Sequence, residues 1–210
     1  MRPFEHQVLF SPGLVTRSYG WFKPGTHHGV IAPGDWDQQH HPFSTNPLAL
    51  AALRHWRDGV DWEATGVIDH QLKRIQDFGP AWADRMTARD DILRRYERLD
   101  QLYEQVRRTG RLPRRANAED GIYIHLDRHG EAVFGHRGVH RFVMTHLLQI
   151  PLVTAQLGAV HPDAPQAARA RTRLDAGYRL RVRAAPPGPA PRRNRLLGRL
   201  ERRLGHSSAA

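Results

Sequence analysis

The chain has 210 residues, with 32 Lys and Arg against 21 Asp and Glu for a net charge of +11, and it contains no cysteine. The absence of cysteine excludes disulfides, zinc–thiolate sites, iron–sulfur clusters and a cysteine nucleophile. No apolar run approaches the roughly 18 to 20 residues that cross a bilayer, and the first residues lack a signal peptide's apolar stretch, so we expect a cytoplasmic protein without a transmembrane segment.

The first half of the sequence divides into an irregular segment, residues 1–46, and a helical region, residues 47–112. Proline and glycine interrupt the irregular segment, which predicts loops and short strands that wrap the domain. The helical region contains three amphipathic stretches. The first begins at Asn46-Pro47 and ends at Gly59, the second runs from Asp61 to about Phe78, and the third begins at Thr87–Asp90 and ends at Gly110.

Residues 113–161 change from helical to alternating periodicity. Ile122, Ile124 and Leu126 alternate with polar residues, which is typical of a strand with one buried face. The predicted elements are a hairpin with strands at residues 122–126 and 132–134, a helix from about Val139 to Gln149, and a strand over residues 150–157. The predicted core is therefore a β-hairpin, a glycine turn, a helix and a strand.

Residues 162–210 are rich in Ala, Arg and Pro, a composition that predicts a disordered basic tail. Residues 161–210 contain 12 Arg and three acidic residues, a net of +9, which leaves +2 for residues 1–160. Within the tail, residues 192–204 can form a short basic amphipathic helix. The partners that this charge suggests are nucleic acid, an anionic membrane surface or an acidic protein.

A candidate phosphate site, Gly138-Val139-His140-Arg141, lies between the predicted hairpin and the following helix. A glycine at a helix start lets main-chain N–H groups approach an anion, and the helix dipole favours negative charge there. Arg141 adds a forked pair of donors, and His140 can donate to a phosphate or exchange a proton with a substrate hydroxyl. The alternative is a helix start that requires a glycine, with His140 and Arg141 facing solvent.

Asp35 and Asp37 are candidate acids in the loop Gly34-Asp35-Trp36-Asp37. In an extended loop both carboxylates point the same way, and they can then bind Mg²⁺ or act as a base. The alternative is an Asx-type turn anchored by a buried Trp36. A bound nucleotide would bring Mg²⁺, held by phosphates and one or two carboxylates. A zinc site among the five histidines of residues 125–146 is a further alternative, although their spacing does not dictate convergence.

The run Gly138-Val139-His140-Arg141-Phe142, between a hairpin and a strand that begins Ile150-Pro151, resembles the core of the ParB/sulfiredoxin fold. Members carry a glycine followed by a His-Arg or Arg-Arg pair at the start of a helix. The resemblance covers roughly residues 119–161. A weaker resemblance extends over about residues 30–161, to the N-terminal half of uncharacterised bacterial and archaeal proteins that end in such a core. The residues that carry it are Gly34–Asp37, Trp62–Thr65 and Leu99–Tyr103.

The resemblance implies binding of a nucleoside triphosphate, usually CTP in ParB-type members, whereas related members phosphorylate free serine. Gly138, His140 and Arg141 would contact the phosphates, with Val139 between them, and Thr145 and His146 would do so if their helix face points to the ligand. Val139 matches the cysteine of sulfiredoxin, which excludes sulfinic-acid phosphorylation. The helix-turn-helix of DNA-segregating ParB proteins is replaced by the basic tail, which argues against sequence-specific DNA binding.

The sequence thus predicts an α+β fold, with a helical N-terminal part, a small ParB/sulfiredoxin-like α/β core and a disordered basic C-terminal tail. The predicted function is binding of CTP or ATP, with hydrolysis or phosphoryl transfer to a small molecule. The predicted catalytic residues are His140, Arg141, Asp35 and Asp37. The alternative function is a non-enzymatic nucleic-acid-associated or regulatory module that uses the basic tail.

Overall fold

The computed structural model describes residues 7–20, 22, 29–80, 86–113, 121–165 and 180–181. Within these ranges the chain forms four α-helices and seven β-strands. The helices are α1 (Pro47–Asp58), α2 (Val67–Phe78), α3 (Arg89–Thr109) and α4 (Val139–Leu147). The strands are β1 (Gln7–Phe10), β2 (Arg17–Ser18), β3 (His41–Pro42), β4 (Tyr123–Leu126), β5 (Ala132–Phe134), β6 (Val153–Val160) and β7 (Leu180–Arg181). The fold is therefore α+β, as predicted.

The strands form one mixed sheet in the order β3-β2-β5-β4-β6-β1-β7. Strands β4 and β5 form an antiparallel hairpin, α4 follows, and β6 then runs parallel to β4. This order confirms the predicted sequence of hairpin, glycine turn, helix and strand. On its two sides the core sheet is extended by β1, antiparallel to β6, and by β2, parallel to β5. The irregular N-terminal segment thus contributes strands to the sheet of the core.

The helical region follows its predicted capping residues. The side chain of Asn46 accepts hydrogen bonds from the N–H groups of Leu48 and Ala49 at the start of α1. Helices α1 and α3 are both followed by a glycine in the left-handed conformation, as expected for a helix C-terminus. Helix α2 begins at Val67 rather than Asp61, because residues 61–66 form turns closed by a 3.0 Å bond from Thr65 N to Asp61 O.

Two further boundaries differ from the prediction. Strand β6 begins three residues later than expected, because Gln149 has a φ of 52° and the N–H of Ile150 bonds to Thr145 O at the end of α4. Residues 180–181 of the predicted disordered tail form β7, which pairs parallel with Val8 and Leu9 of β1. The rest of the tail beyond residue 165, including the predicted helix over residues 192–204, lies outside the described residues.

Helix α4 lies at the centre of the main hydrophobic core. Every residue from Val139 to His146 is buried. On the sheet side, the ring of Phe142 packs against Phe134 and Phe43 with centroids 4.8 and 4.7 Å apart. A fully buried side chain of this size stabilises the fold by about 1.5 to 3 kcal/mol. Helix α1 packs along the same helix, so α4 is enclosed between the sheet and the helical region.

A single carboxylate joins three parts of the helical region. The indole N–H groups of Trp56 in α1 and Trp62 before α2 both donate to Asp100 of α3, at 2.8 and 2.9 Å. The Nε2 atom of His55 also lies 3.1 Å from Asp100, and its ring stacks on Trp62 at 4.0 Å. Asp100 therefore satisfies the polar ends of an otherwise aromatic cluster.

Replacing Asp100 by Ala should lower the free energy of unfolding by about 1 to 3 kcal/mol, because the indole N–H groups of the buried Trp62 and the half-buried Trp56 lose their acceptor. Urea denaturation followed by tryptophan fluorescence measures this loss. Asp100→Asn retains one acceptor oxygen and should lose less. Glu97→Ala, at an exposed position of α3, should change the value by no more than about 0.5 kcal/mol. Equal stability of the Asp100→Ala and Glu97→Ala variants would contradict the role assigned to Asp100.

Candidate functional site

Gly138 is required where the chain passes from the hairpin into α4. It is the N-cap of α4 and has a φ of 75°, in the left-handed region that favours glycine. A Cβ atom at this position would lie 2.8 Å from the carbonyl oxygen of Gly121 and 2.9 Å from the Cα atom of Ile122. The start of α4 therefore lies directly against the residues that precede β4.

The turn that leads into α4, residues 136–138, lies at the protein surface. His136 is exposed with a φ of 61°, and Arg137 and Gly138 are half-buried. The first N–H groups of an α-helix have no partner within the helix, and they carry the positive end of its dipole. The turn before α4 thus lies at the surface, and the positive end of the helix dipole lies directly behind it.

Arg141 lies on the first turn of α4 and is only 8% exposed. Its Nη1 atom donates to the carbonyl oxygen of Pro113 at 3.2 Å. This bond attaches the segment that follows α3 to the start of α4. Because a guanidinium stays protonated in proteins, Arg141 places a permanent positive charge near Gly138.

His140 occupies a different environment from the predicted one. Its ring makes edge contacts with Trp56, Trp62 and Tyr96, at centroid distances of 6.3, 6.3 and 5.5 Å. Burial, with a smaller effect of the nearby positive charge of Arg95, lowers the pKa of His140 to about 3. A neutral imidazole packed into the helical region does not fit the predicted phosphate-contacting or acid–base role.

Thr145 and His146 also use their polar atoms within α4. The hydroxyl of Thr145 donates to the carbonyl oxygen of Phe142 at 2.7 Å, and Nδ1 of His146 lies 3.1 Å from the same oxygen. Both residues are buried, and the His146 ring packs against Phe142. This placement does not fit the predicted contacts of Thr145 and His146 with a ligand at the start of α4.

Asp35 and Asp37 lie at the opposite end of the hairpin from Gly138. Arg128, in the hairpin turn, donates to Asp35 at 2.7 Å and to Asp37 at 2.7 Å through Nε and 3.0 Å through its N–H. These hydrogen bonds lower the pKa of Asp37 to about 2. Ile122 and the four residues of β4 that separate Gly138 from the turn span about 16 Å. The structure therefore does not bring the two predicted acids to Arg141.

The Asp35–Asp37 loop has a structural explanation. Trp36 is 7% exposed and its indole N–H donates to the carbonyl oxygen of Ala32 at 2.8 Å. This agrees with the alternative in which a buried Trp36 anchors the loop. Both carboxylates then bind Arg128, which attaches the loop to the hairpin turn.

Two buried polar residues on the other face of the sheet were not singled out as a pair by sequence reasoning. Tyr123 and His125 lie opposite α4, and the rings of Phe22 and Trp36 pack against His125. The Nδ1 atom of His125 accepts from the N–H of Ala159 at 3.0 Å, and burial raises the pKa of Tyr123.

The rings of Tyr123 and His125 fit here because Gly135 and Gly158, which lie beside them, have no side chains. A Cβ atom at residue 135 would lie 2.5 Å from the Tyr123 ring, and one at residue 158 would lie 2.7 Å from it. These two glycines, one following β5 and one within β6, are the sequence signal for the arrangement.

A comparison with protein-family models, curated proteins and solved structures finds no significant match. Among the described residues, no three His, Asp or Glu side chains form a group that could hold a metal ion. In the same part of the chain, none of the helices has the length and apolar character needed to cross a membrane. His140, Thr145 and His146 do not fit as ligand contacts. The candidate contacts at the start of α4 are therefore Gly138, the main chain of Val139, and the side chains of Arg137 and Arg141.

Replacing Gly138 by Ala should lower the free energy of unfolding by about 2 to 4 kcal/mol, because a left-handed alanine is strained and its Cβ meets main-chain atoms before β4. Gly110→Ala is the matched control, since Gly110 has a φ of 65° and no atom within 4 Å of an added Cβ. The control should lose only about 1 kcal/mol. Urea denaturation measures both values, and equal losses would show that the close approach to Gly121 is unimportant.

The free energy of unfolding should fall as the pH is lowered, in part through His140. The pKa of this residue is 6.5 in an unfolded chain and about 3 when buried, so below pH 6.5 the unfolded state binds the proton that the folded state excludes. The stability is complete above pH 6.5 and is lost progressively towards pH 3, at up to about 1.4 kcal/mol per pH unit.

Chemical denaturation at pH values from 8 to 4 tests this expectation. Burial also lowers the pKa of His146 and of His70, which act in the same direction, so the comparison with His140→Phe isolates one residue. The phenylalanine variant retains an aromatic ring beside Trp62 and Tyr96, and its stability should depend less on pH. Identical slopes in the two proteins would contradict the neutral, buried state of His140.

Proposed function

We propose that the chain binds the phosphates of a nucleoside triphosphate, CTP or ATP, at the start of α4. The observation that carries the proposal is Gly138, a left-handed N-cap that is half-buried and precedes a helix of nine residues. Such a turn presents the N–H groups of Val139 and the next residues to an anion. The helix dipole adds about 0.3 to 2 kcal/mol for each favourably placed negative charge.

The arginines of this turn support the same ligand. Arg141 supplies a charge within the first turn of α4, and its bond to Pro113 fixes the side chain in place. Arg137 directly precedes Gly138 and is half-buried at the surface. Guanidinium groups bind phosphate oxygens through two parallel hydrogen bonds, which gives orientation as well as charge.

The order of elements supports a ParB/sulfiredoxin-like core as part of this proposal. A hairpin (β4 and β5), a glycine turn, α4 and a parallel β6 follow one another over the residues where the sequence resembles that fold. In this proposal the glycine turn has the role that the resemblance implies, with Gly138 and Arg141 as the matching residues.

The geometry supports nucleotide binding rather than turnover. Of the four predicted catalytic residues, His140 is neutral and packed against aromatic rings, and Asp35 and Asp37 are bound to Arg128 about 16 Å from Gly138. A nucleotide would carry Mg²⁺ on its phosphates. Asp35 and Asp37 do not fit as ligands of that ion.

Thermal unfolding with nucleotides tests the proposal. The full chain is heated with CTP, ATP, GTP or ADP, each with and without Mg²⁺. A ligand at a hundredfold excess over its Kd stabilises the folded state by about 2.7 kcal/mol, so at least one triphosphate should raise the Tm. No shift with any nucleotide would contradict the proposal.

Arg141→Gln should remove the nucleotide-induced shift, because it replaces the charge and the forked donors at the start of α4. Arg141→Lys retains the charge without the fork and should give an intermediate shift. Arg98→Gln, at an exposed position of α3, is the control and should respond like the wild type. Circular dichroism shows that each variant is folded before heating, and a full shift in folded Arg141→Gln would contradict the role of Arg141.

A further inference from the structure

His55 joins three parts of the helical region through its two ring nitrogens. Its Nδ1 atom lies 2.7 Å from the carbonyl oxygen of Val60, in the segment that follows α1. Its Nε2 atom lies 3.1 Å from Oδ1 of Asp100 in α3. A carbonyl oxygen and an ionised carboxylate only accept hydrogen bonds, so both ring nitrogens must donate. A neutral imidazole has one N–H group to donate, whereas an imidazolium has two.

The surroundings of the His55 ring also favour a positive charge. Both carboxylate oxygens of Asp100 accept indole N–H groups, one from Trp56 and one from Trp62, as expected for an ionised acid. His55 lies in the last turn of α1, where the helix dipole favours cations. Its ring stacks on Trp62 at a centroid distance of 4.0 Å and an interplanar angle of 20°, and the face of an indole attracts a positive charge at this range.

Trp62 also contacts a second histidine, whose surroundings favour the opposite state. The ring of His140 in α4 makes edge contacts with Trp62 at 6.3 Å and with Tyr96 at 5.5 Å. Burial, and to a smaller extent the positive charge of Arg95 in α3, lowers the pKa of His140, so its ring is neutral. One tryptophan therefore packs against a histidine that faces two acceptors and against another that is held uncharged.

We propose that His55 is an imidazolium in the folded protein and that, with neutral His140, it makes the junction between the helical region and α4 sensitive to pH in both directions. Loss of a proton from His55 leaves a lone pair facing an acceptor oxygen. Gain of a proton by His140 places a charge among aromatic rings beside Arg95. Alkali thus weakens the junction through His55, and acid weakens it through His140. The proposal does not depend on nucleotide binding at Gly138.

NMR spectroscopy of the 15N-labelled full chain tests the charge state of His55 directly. The two ring nitrogens of an imidazolium have nearly equal chemical shifts, whereas those of a neutral ring differ widely. At pH 7.5, where histidines of an unfolded chain are largely neutral, His55 should show the imidazolium pattern. Its signals are identified by their loss in His55→Phe, or in His55→Gln where the phenylalanine variant does not fold. A neutral pattern for His55 at pH 7.5 would overturn the proposal.

Asp100→Asn tests whether the carboxylate holds this proton. Asparagine keeps an oxygen in the side chain but removes the negative charge, so the signals of His55 should change to the neutral pattern at pH 7.5. Circular dichroism shows that the variant is folded. An unchanged imidazolium pattern in the folded variant would overturn the proposed ion pair, because a ring held only by packing does not respond to this charge.

Urea denaturation between pH 7 and 9 measures the consequence for stability. The folded state keeps a proton that the unfolded state releases, so the stabilisation by His55 is complete at lower pH and is lost as the pH rises. Relative to His55→Phe or His55→Gln, the unfolding equilibrium constant of the wild type should rise by up to about 10-fold per pH unit. Equal pH dependence in the wild type and the His55 variants would overturn the proposal.

His70→Gln is the matched control for the alkaline range. His70 is half-buried on α2, and burial lowers its pKa, so its ring is largely neutral in the folded and unfolded states above pH 7. This control should keep the wild-type dependence on pH. If His70→Gln loses the alkaline dependence to the same extent as the His55 variants, the assignment of the effect to His55 is wrong.

Discussion

The burial of α4 on every side determines how the other elements are arranged. An α-helix that is enclosed all round needs one layer on each side, and here the sheet covers Phe142 while the helical region covers His140. The helix must also begin directly against the residues that precede β4, which only a residue without a Cβ atom permits. The glycine turn is therefore a packing requirement.

This burial also determines how the polar residues of α4 are accommodated. Thr145 and His146 bond to the carbonyl oxygen of Phe142, and His140 stays neutral among aromatic rings. A polar side chain in a closed interior is stable when it is satisfied locally or carries no charge. Only Arg141, next to the surface turn, retains its charge near an approach from solvent. The start of α4 consequently carries the fixed positive charge of Arg141 next to a neutral His140.

The elements that could be predicted from the sequence are those with local signals. Asn46 and Gly110 mark helix ends, and the alternation around Ile124 marks a strand. The role of Asp37 could not be predicted, because it depends on Arg128, 91 residues away. Similarly, the local sequence around His140 is the same whether the ring faces a phosphate or Trp62. Packing between the helices sets the rotation of α4 about its own axis, which decides whether His140 faces a ligand or Trp62. No short motif encodes this rotation.

Strand β1 has a consequence for synthesis of the chain. Its partner is β6, and Gln7 pairs with Gln156, so the two strands are about 150 residues apart. Contacts of such high sequence separation slow folding. At roughly 5 to 20 residues per second, β1 leaves the ribosome about 7 to 30 s before β6. During that interval the backbone edge of β1 and the side chains of Val8 and Phe10, which are buried in the folded protein, lack their native neighbours.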